Sequence, residues 1–178
     1  MSTTNDAPKD GSLGGKYLTF FLGEEEYGAS IRTVQEIIGL LAITAVPGTP
    51  RWVRGVINLR GKIIPVVDLR NKFGMSPVQA SERSCIVVVQ AHGSEIGIIV
   101  DRVSEVVDLP ENAVESAPNL GAHVRTDYLL GIGKTNNRVR LLLDIDRALS
   151  PSDVARSRAN SAQNQESEDA QALAVRTS

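Results

Sequence analysis

The sequence has little of the material from which covalent, redox or metal chemistry is usually built: one cysteine, two histidines and one tryptophan among 178 residues. The lone Cys85 permits no internal disulfide, which fits a reducing compartment. It opens a run of β-branched residues with no base indicated nearby, so it is expected to be a small buried hydrophobe and not a nucleophile. His92 falls in the turn Ala91-His92-Gly93-Ser94, and His123 in the irregular stretch 110–126. Neither has a cysteine, a histidine or paired carboxylates at ligand spacing, so both are expected on the surface. There is no GxxxxGK[ST] loop to cradle phosphates, no HExxH or CxxC for zinc, and no GxSxG nucleophile elbow. Gly131-Ile132-Gly133 lacks the third glycine of a dinucleotide loop and opens no helix, so it reads as a strand of small residues. Asp101, Asp108, Asp144 and Asp146 fall at strand ends, and nothing in their spacing requires two of them to converge as an acid–base pair. No enzyme is predicted, and no metal, nucleotide or other cofactor.

Charge of one sign is lacking too. Nineteen Lys and Arg stand against 21 Asp and Glu, a formal net charge of −2, with no basic block of the kind that nucleic acid or an anionic membrane attracts. The start has no basic-then-apolar order of a signal peptide. The longest apolar runs, residues 85–89 and 96–100, fall far short of the roughly 20 residues a membrane-spanning helix needs. A soluble cytoplasmic protein is the expectation. The acidic run Glu24-Glu25-Glu26 reads as a solvated turn, because adjacent carboxylates in a hairpin loop are seldom anything else.

What the chain does have is short strands, organised around residues 53–70, VRGVINLRGKIIPVVDLR. Arg60-Gly61 supplies a tight turn, glycine giving the positive φ it needs. Ile57 and Leu59 fall on one face of the first arm, Asn58 and Arg60 on the other. The second arm, residues 63–67, is apolar on both faces and reads as a strand covered from both sides. Pro65 is expected where no partner needs its missing N–H. Asp68 should cap a helical turn over residues 69–73 that Gly74 closes.

Further strands are predicted over residues 16–22, 26–30, 85–90, 95–101 and 104–109, and a hairpin over 128–134 and 138–144, with Asp144 or Asp146 capping a last turn. Residues 31–38 fit two patterns. Ile31, Val34, Ile37 and Ile38 make a helical stripe, while Val34, Glu36 and Ile38 can share one strand face. The surrounding strands favour a turn followed by a strand over 34–38. Thr49 is read as capping a short helix over 50–54, with Trp52 and Val53 folding inward. Residues 1–15 read as a flexible arm, 16–150 as the folded part, and 151–178 as a tail, disordered or partly helical. About ten short strands point to a sandwich or to small barrels, and strand counting does not separate the two.

The run GVINLRGKIIPVVDLR resembles the signature of the CheW family, the small coupling proteins of bacterial chemotaxis. KYLTFFLGEEEYG, VQEII and VPGTPRWVRG precede it in the family's order, while GIIVDRVSEVV and YLLGIGKTNNRVRLLLDID match the family's second half. The resemblance covers residues 16 to about 150. It implies an all-β fold of two intertwined five-stranded SH3-like barrels around a shared hydrophobic core, with short helical turns. It also implies a non-catalytic adaptor in chemotaxis signalling. Its partners would be the helical hairpin at the cytoplasmic tip of a chemoreceptor and the regulatory domain of the histidine kinase CheA, with recruitment to membrane receptor arrays through them. A CheW-like module of a related pathway, or a small β-barrel ligand carrier or enzyme, is the alternative.

Under the resemblance, a groove between the lobes takes the receptor tip. The matching positions are Ile31 and Val34 on one lobe and Val103 and Val106 on the other; core burial is the competing fate for each. Arg60, in the hairpin turn, and Glu36, on a neighbouring strand, should pair and present a fixed charge to a partner. A kinase-facing surface is placed at residues 40–50, where Leu40, Leu41, Ile43 and Val46 put apolar side chains into a loop.

Overall fold

Strands β6 (Cys85–Ala91) and β7 (Ser94–Val100) set the architecture, because both are apolar on both faces. Val87, Val89, Ile96, Ile98 and Val100 point to one side, and Ile86, Val88 and Ile99 to the other. A sheet with two apolar faces has to be covered twice. The computed structural model describes residues 13–76, 78–118 and 126–150; the expected arm up to residue 12, the tail 151–178 and His123 lie outside the described residues.

The other strands are β1 (Gly15–Leu22), β2 (Glu25–Ser30), β3 (Val34–Gly39), β4 (Val53–Leu59), β5 (Lys62–Asp68), β8 (Arg102–Leu109), β9 (Val114–Glu115), β10 (Leu129–Thr135) and β11 (Arg138–Leu143). They form a five-stranded sheet in the order β3-β6-β7-β5-β4 and a six-stranded sheet in the order β8-β1-β2-β11-β10-β9. The sixth strand is the two-residue β9. The lobes are intertwined: the chain leaves the first sheet after β2, builds the whole of the second, and returns at Asp101 to finish the first. The parallel pair β2–β11 records this excursion, while β5–β7 is a parallel pair within the second sheet.

Three apolar clusters result. Leu18, Phe20, Leu22, Tyr27, Ala29 and Leu143 of the first lobe meet Val67, Val87, Val89, Ile98 and Val100 of the second in one shared core. Behind it each lobe keeps a private core, Ile57, Ile64, Val66, Ile86, Val88 and Ile99 in the second and Tyr17, Leu109 and Leu142 in the first. Gly97 lets β7 approach its neighbours, since a Cβ there would lie 2.8 Å from Ile86 Cγ2.

The central hairpin forms as its residues dictate. Arg60 and Gly61 both take positive φ, and Asn58 Oδ1 accepts from the Gly61 N–H at 2.9 Å. The Val56 N–H and C=O both bond to Thr44, away from β5, so Pro65 opposite Val56 owes no hydrogen bond to β4. Pairing of β5 with β7 begins only at Val66. Asp68 caps α1 (Leu69–Lys72) by accepting from the Arg70 N–H at 3.0 Å, and Asp144 caps α2 (Ile145–Ala148).

Four expectations are corrected. The second arm of the hairpin is covered on both faces only from Val66 onward; Ile63 and Pro65 are exposed, because they lie beyond the reach of the shared core. Thr49 caps no helix: its hydroxyl donates to the Val46 carbonyl, residues 51–52 make a single turn, and β4 begins at Val53. Glu26 is no solvated turn residue. It is buried, with Arg140 Nε 3.2 Å and Arg138 Nη2 2.9 Å from its two oxygens. Trp52 and Cys85 are half-buried against the shared core, not enclosed by it.

A second buried ion cluster ties the lobes. Arg70 grips Asp68 through Nε and Nη2 at 3.1 and 2.9 Å and reaches Asp101 Oδ1 through Nη1 at 2.5 Å. Asp101 Oδ2 accepts from the Gly23 N–H of the β1–β2 turn, and its own N–H donates to the Phe21 carbonyl. The crossover residue is thus held from both lobes. Removing one member of a buried pair costs about 3–5 kcal/mol. Arg70→Ala should fall near the lower end of that range, because Asp101 keeps a partly solvated edge. Urea unfolding measures it, and a loss below about 1 kcal/mol would show that the cluster is not a clamp.

Candidate functional site

β3 and β8 are edge strands, one in each sheet. Each carries an extra residue relative to its neighbour. On β3, Val34 pairs with Val89 and Glu36 with Val88, so Gln35 is supernumerary. On β8, Val106 pairs with Leu18 and Val103 with Phe20, so Ser104 and Glu105 oppose the single Thr19. Such bulges reverse the alternation of side chains beyond them. Val34 and Ile37 therefore share the face of Val89 and Val87, while Glu36 and Ile38 turn to the private core of the second lobe. The expectation that Val34, Glu36 and Ile38 share one face is corrected by this bulge. Val103 and Val106 likewise share one face although they are three residues apart.

The two edge strands face a common space. At one end the Ile31 N–H donates to the Lys16 carbonyl of β1, whose neighbour on β8 is Asp108. At the other, Cys85, paired with Gly39 of β3, meets the backbone of Val103. On the shared-core side β3 carries Val34 and Ile37, with Ile31 in the turn before it, and β8 carries Val103 and Val106. Ile31 is 36% exposed, Ile37 45% and Val106 52%, while Val34 and Val103 rest half-buried on the shared core. Ile37 is absent from the sequence-derived set. Its signal was the helical stripe Ile31, Val34, Ile37, which a strand presents on one face only when it carries a bulge.

Glu36 and Arg60 pair directly, as expected. Glu36 lies on edge strand β3 and Arg60 on the hairpin at the opposite edge of the sheet, a span of about 14–19 Å if the strands lay flat. The contact therefore requires the sheet to curl, and the pair closes the mouth of the second lobe's private core. Arg60 remains exposed, and the Glu36 carboxylate holds its guanidinium in the charged form, raising its pKa. Lys62 and Glu95 pair beside it at 3.1 Å.

The loop of residues 40–50 is docked along β4 by paired Thr44–Val56 backbone bonds of 2.9 Å. Gly55 is required there, since a Cβ would sit 2.0 Å from the Thr44 carbonyl oxygen. Leu40, Leu41 and Val46 are exposed, whereas Ile43 packs on the private core and anchors the loop. His92 sits at an exposed turn, its backbone N–H on Asp146 Oδ1 at 3.1 Å and its ring Nε2–H on the Asp146 carbonyl. Among the described residues no group of three or more His, Cys, Asp or Glu could hold a metal ion, and no helix is long and apolar enough to cross a membrane.

Comparison with known proteins gives a consistent result. Residues 16–152 match the family model described as CheW-like domain. The chain is 39% identical over 144 residues to the chemotaxis protein CheW of Klebsiella aerogenes, covering 81% of this chain and 87% of that one. It is 33% identical over 137 residues to the chemotaxis protein CheW of Bacillus subtilis, covering 76% and 87%. The crystal structure of the scaffolding protein TtCheW from Thermoanaerobacter tengcongensis superposes with a TM-score of 0.71 at 37% identity, over 78% of this chain and 94% of that one.

The packing of Cys85 against the shared core is open to a chemical test. Burial pushes the Cys85 thiol up from its ordinary range, against a smaller opposing hydrogen bond to the Val103 backbone. Less thiolate is then present near neutral pH, and access is narrow. A disulfide reagent at pH 8 should modify Cys85 at least about tenfold more slowly in the native protein than in guanidinium. Equal rates would mean that the thiol is solvated and not sheltered by the shared core.

Proposed function

This chain belongs to the family of CheW-like domains, and on that premise we propose that it is a non-catalytic adaptor joining the cytoplasmic tip of a chemoreceptor to the regulatory domain of the histidine kinase CheA. The observation that carries the reading is the groove between the bulged edge strands. Its walls would offer apolar side chains from both lobes, as helix-in-groove docking requires. Helix-in-groove docking needs apolar anchors with a polar rim, and Glu36, Arg60, Lys62 and Glu95 lie at the end of the second lobe. We assign Ile31, Val34, Ile37, Val103 and Val106 to the receptor groove, and Arg60 with Glu36, at the open end of the second lobe's private core, to the same receptor-binding surface. Leu40, Ile43 and Val46 are assigned to the kinase-facing surface, with Leu41 beside them, because an apolar loop held rigidly on a sheet edge offers anchors at little entropic cost.

An adaptor works by differential binding: it changes kinase activity by favouring the state of the assembly to which it binds more tightly. Nothing in that mechanism asks the adaptor itself to do chemistry. It asks that two surfaces be held in fixed relation, and the shared core and the Arg70–Asp101 clamp supply that rigidity.

Val106→Asp separates binding from folding, because Val106 is half-exposed at the end of a face and a charge there keeps its solvent. The variant should melt like the parent and lose at least about tenfold in affinity for a receptor-tip fragment, about 1.4 kcal/mol. Co-sedimentation with receptor fragments and CheA measures it. Normal assembly by a folded Val106→Asp protein would sink the groove assignment.

Arg60→Ala should leave the melt nearly unchanged, since the pair is exposed and screened, yet reduce coupling to the receptor tip or the kinase by more than about tenfold. Glu36→Ala should do less, and the double variant no worse than Arg60→Ala. Binding of both partners at the parental level by Arg60→Ala would remove these two residues from the site.

A further inference from the structure

The bulge in β8 has an evident holder. The Thr19 side chain is fully buried, and its hydroxyl serves both backbone groups of the bulged residue: it donates to the Glu105 carbonyl at 3.1 Å and accepts from the Glu105 N–H at 3.3 Å. Edge-strand backbone at a bulge has lost its ladder partners, and a buried peptide group without a partner is strongly disfavoured. Thr19 restores both partners with one atom. The Glu105 side chain, turned by the bulge to the private-core side, meets Arg140 Nη2 at 3.3 Å. Arg140 is itself buried, held by Glu26 and by Thr135 Oγ1.

The consequence for the groove follows from strand geometry. Without the extra residue, side chains beyond Val103 alternate strictly, and a one-residue shift moves each to the opposite face. Glu105 would then face the groove, and Val106 would turn toward the private core beside Arg140. The bulge alone puts Val103 and Val106 on one wall.

We propose that Thr19 is a positioning residue for partner binding: its buried hydroxyl fixes the β8 bulge and so decides whether the first lobe's wall of the groove presents valine or glutamate. Thr19 touches no partner in this scheme. It lies behind the sheet, on the private-core side, and acts through Glu105. The inference rests on the groove reading above.

The test compares Thr19→Val, which keeps shape and loses the hydroxyl, with Thr19→Ser, which keeps the hydroxyl and loses a methyl. Each full-length variant is titrated with a receptor-tip fragment and, separately, with the isolated CheA regulatory domain. Amide exchange at Glu105 is followed alongside. Thr19→Val should release the Glu105 amide to exchange and weaken the receptor fragment at least about tenfold, while leaving affinity for the kinase domain unchanged. Thr19→Ser should stay close to the parent in all three measurements. A purely structural role would move both partners together, or would make the serine variant as poor as the valine one, and either result overturns the proposal. Should Thr19→Val prove too unstable to titrate, Glu105→Gln probes the same bulge, because it weakens the tie to Arg140 while leaving the Thr19 bonds in place. With the Thr19 bonds intact it should bind the receptor fragment at the parental level, and a loss of about tenfold or more would show that the tie to Arg140, and not Thr19, holds the bulge, which would overturn the proposal. The Val106→Asp protein measured in parallel keeps the two readings apart. If it binds normally, the groove reading has failed; if it fails to bind while Thr19→Val binds normally, only the Thr19 inference has.

Discussion

The contact between the inner faces of the two sheets is what the rest of the structure depends on. β6 and β7 are apolar on both faces, so the second lobe's private core can cover only one of them. Leu18, Phe20, Leu22 and Tyr27 of β1 and β2 cover the other, and those strands are completed only by β8–β11 from the other end of the chain. Neither lobe can bury its apolar surface alone, at roughly 25 cal/mol for each Å² left in water. The lobes therefore form one cooperative unit, and the relation between their outer surfaces is fixed by packing and not by a hinge. For an adaptor that rigidity matters more than the stability of either lobe.

The two private cores end differently, and the difference separates structure from presentation. In the first lobe the open end is filled by Arg140, buried among Glu26, Glu105 and Thr135. Its guanidinium is nearly fully engaged and has little left to offer a partner. In the second lobe the mouth is closed by Arg60 on Glu36, with the guanidinium outside and only the carboxylate sheltered. A screened, exposed pair adds little to folding. Under the proposed function its use is orientation: the carboxylate fixes one edge of a planar donor group and leaves the other to meet an acceptor.

How much of this the sequence revealed depends on how local each signal is. The central hairpin turn and the Asp68 cap were legible because Asn58-Leu59-Arg60-Gly61 and Asp68-Leu69-Arg70 carry their own geometry within three or four residues. The Glu36–Arg60 pair was legible from motif order. The fate of Glu26 was not, because Arg140 lies 114 residues away and only the parallel pairing of β2 with β11 brings them together. Ile37 was hidden by the bulge at Gln35, which makes a strand imitate helical spacing. Ile63 was misjudged for a related reason: an apolar run gives the character of both faces, not how far a neighbouring sheet extends over each.

The bulges also bear on what kind of partner the groove suits. Two edge strands side by side would ordinarily invite strand addition, since each offers a row of unpaired N–H and C=O groups. Here both rows are interrupted near their middle by a bulge, at Gln35 and at Ser104–Glu105, which kinks each edge. An added strand could not run a continuous ladder along either edge. What the bulges leave is side chains: three apolar residues on one wall and two on the other, spaced at intervals of three along each strand. A partner with its own backbone bonds already satisfied can use such a surface, which is the ground for the helical partner proposed above. Under that reading, the irregularity that interrupts each edge is what favours a helix over a strand between them.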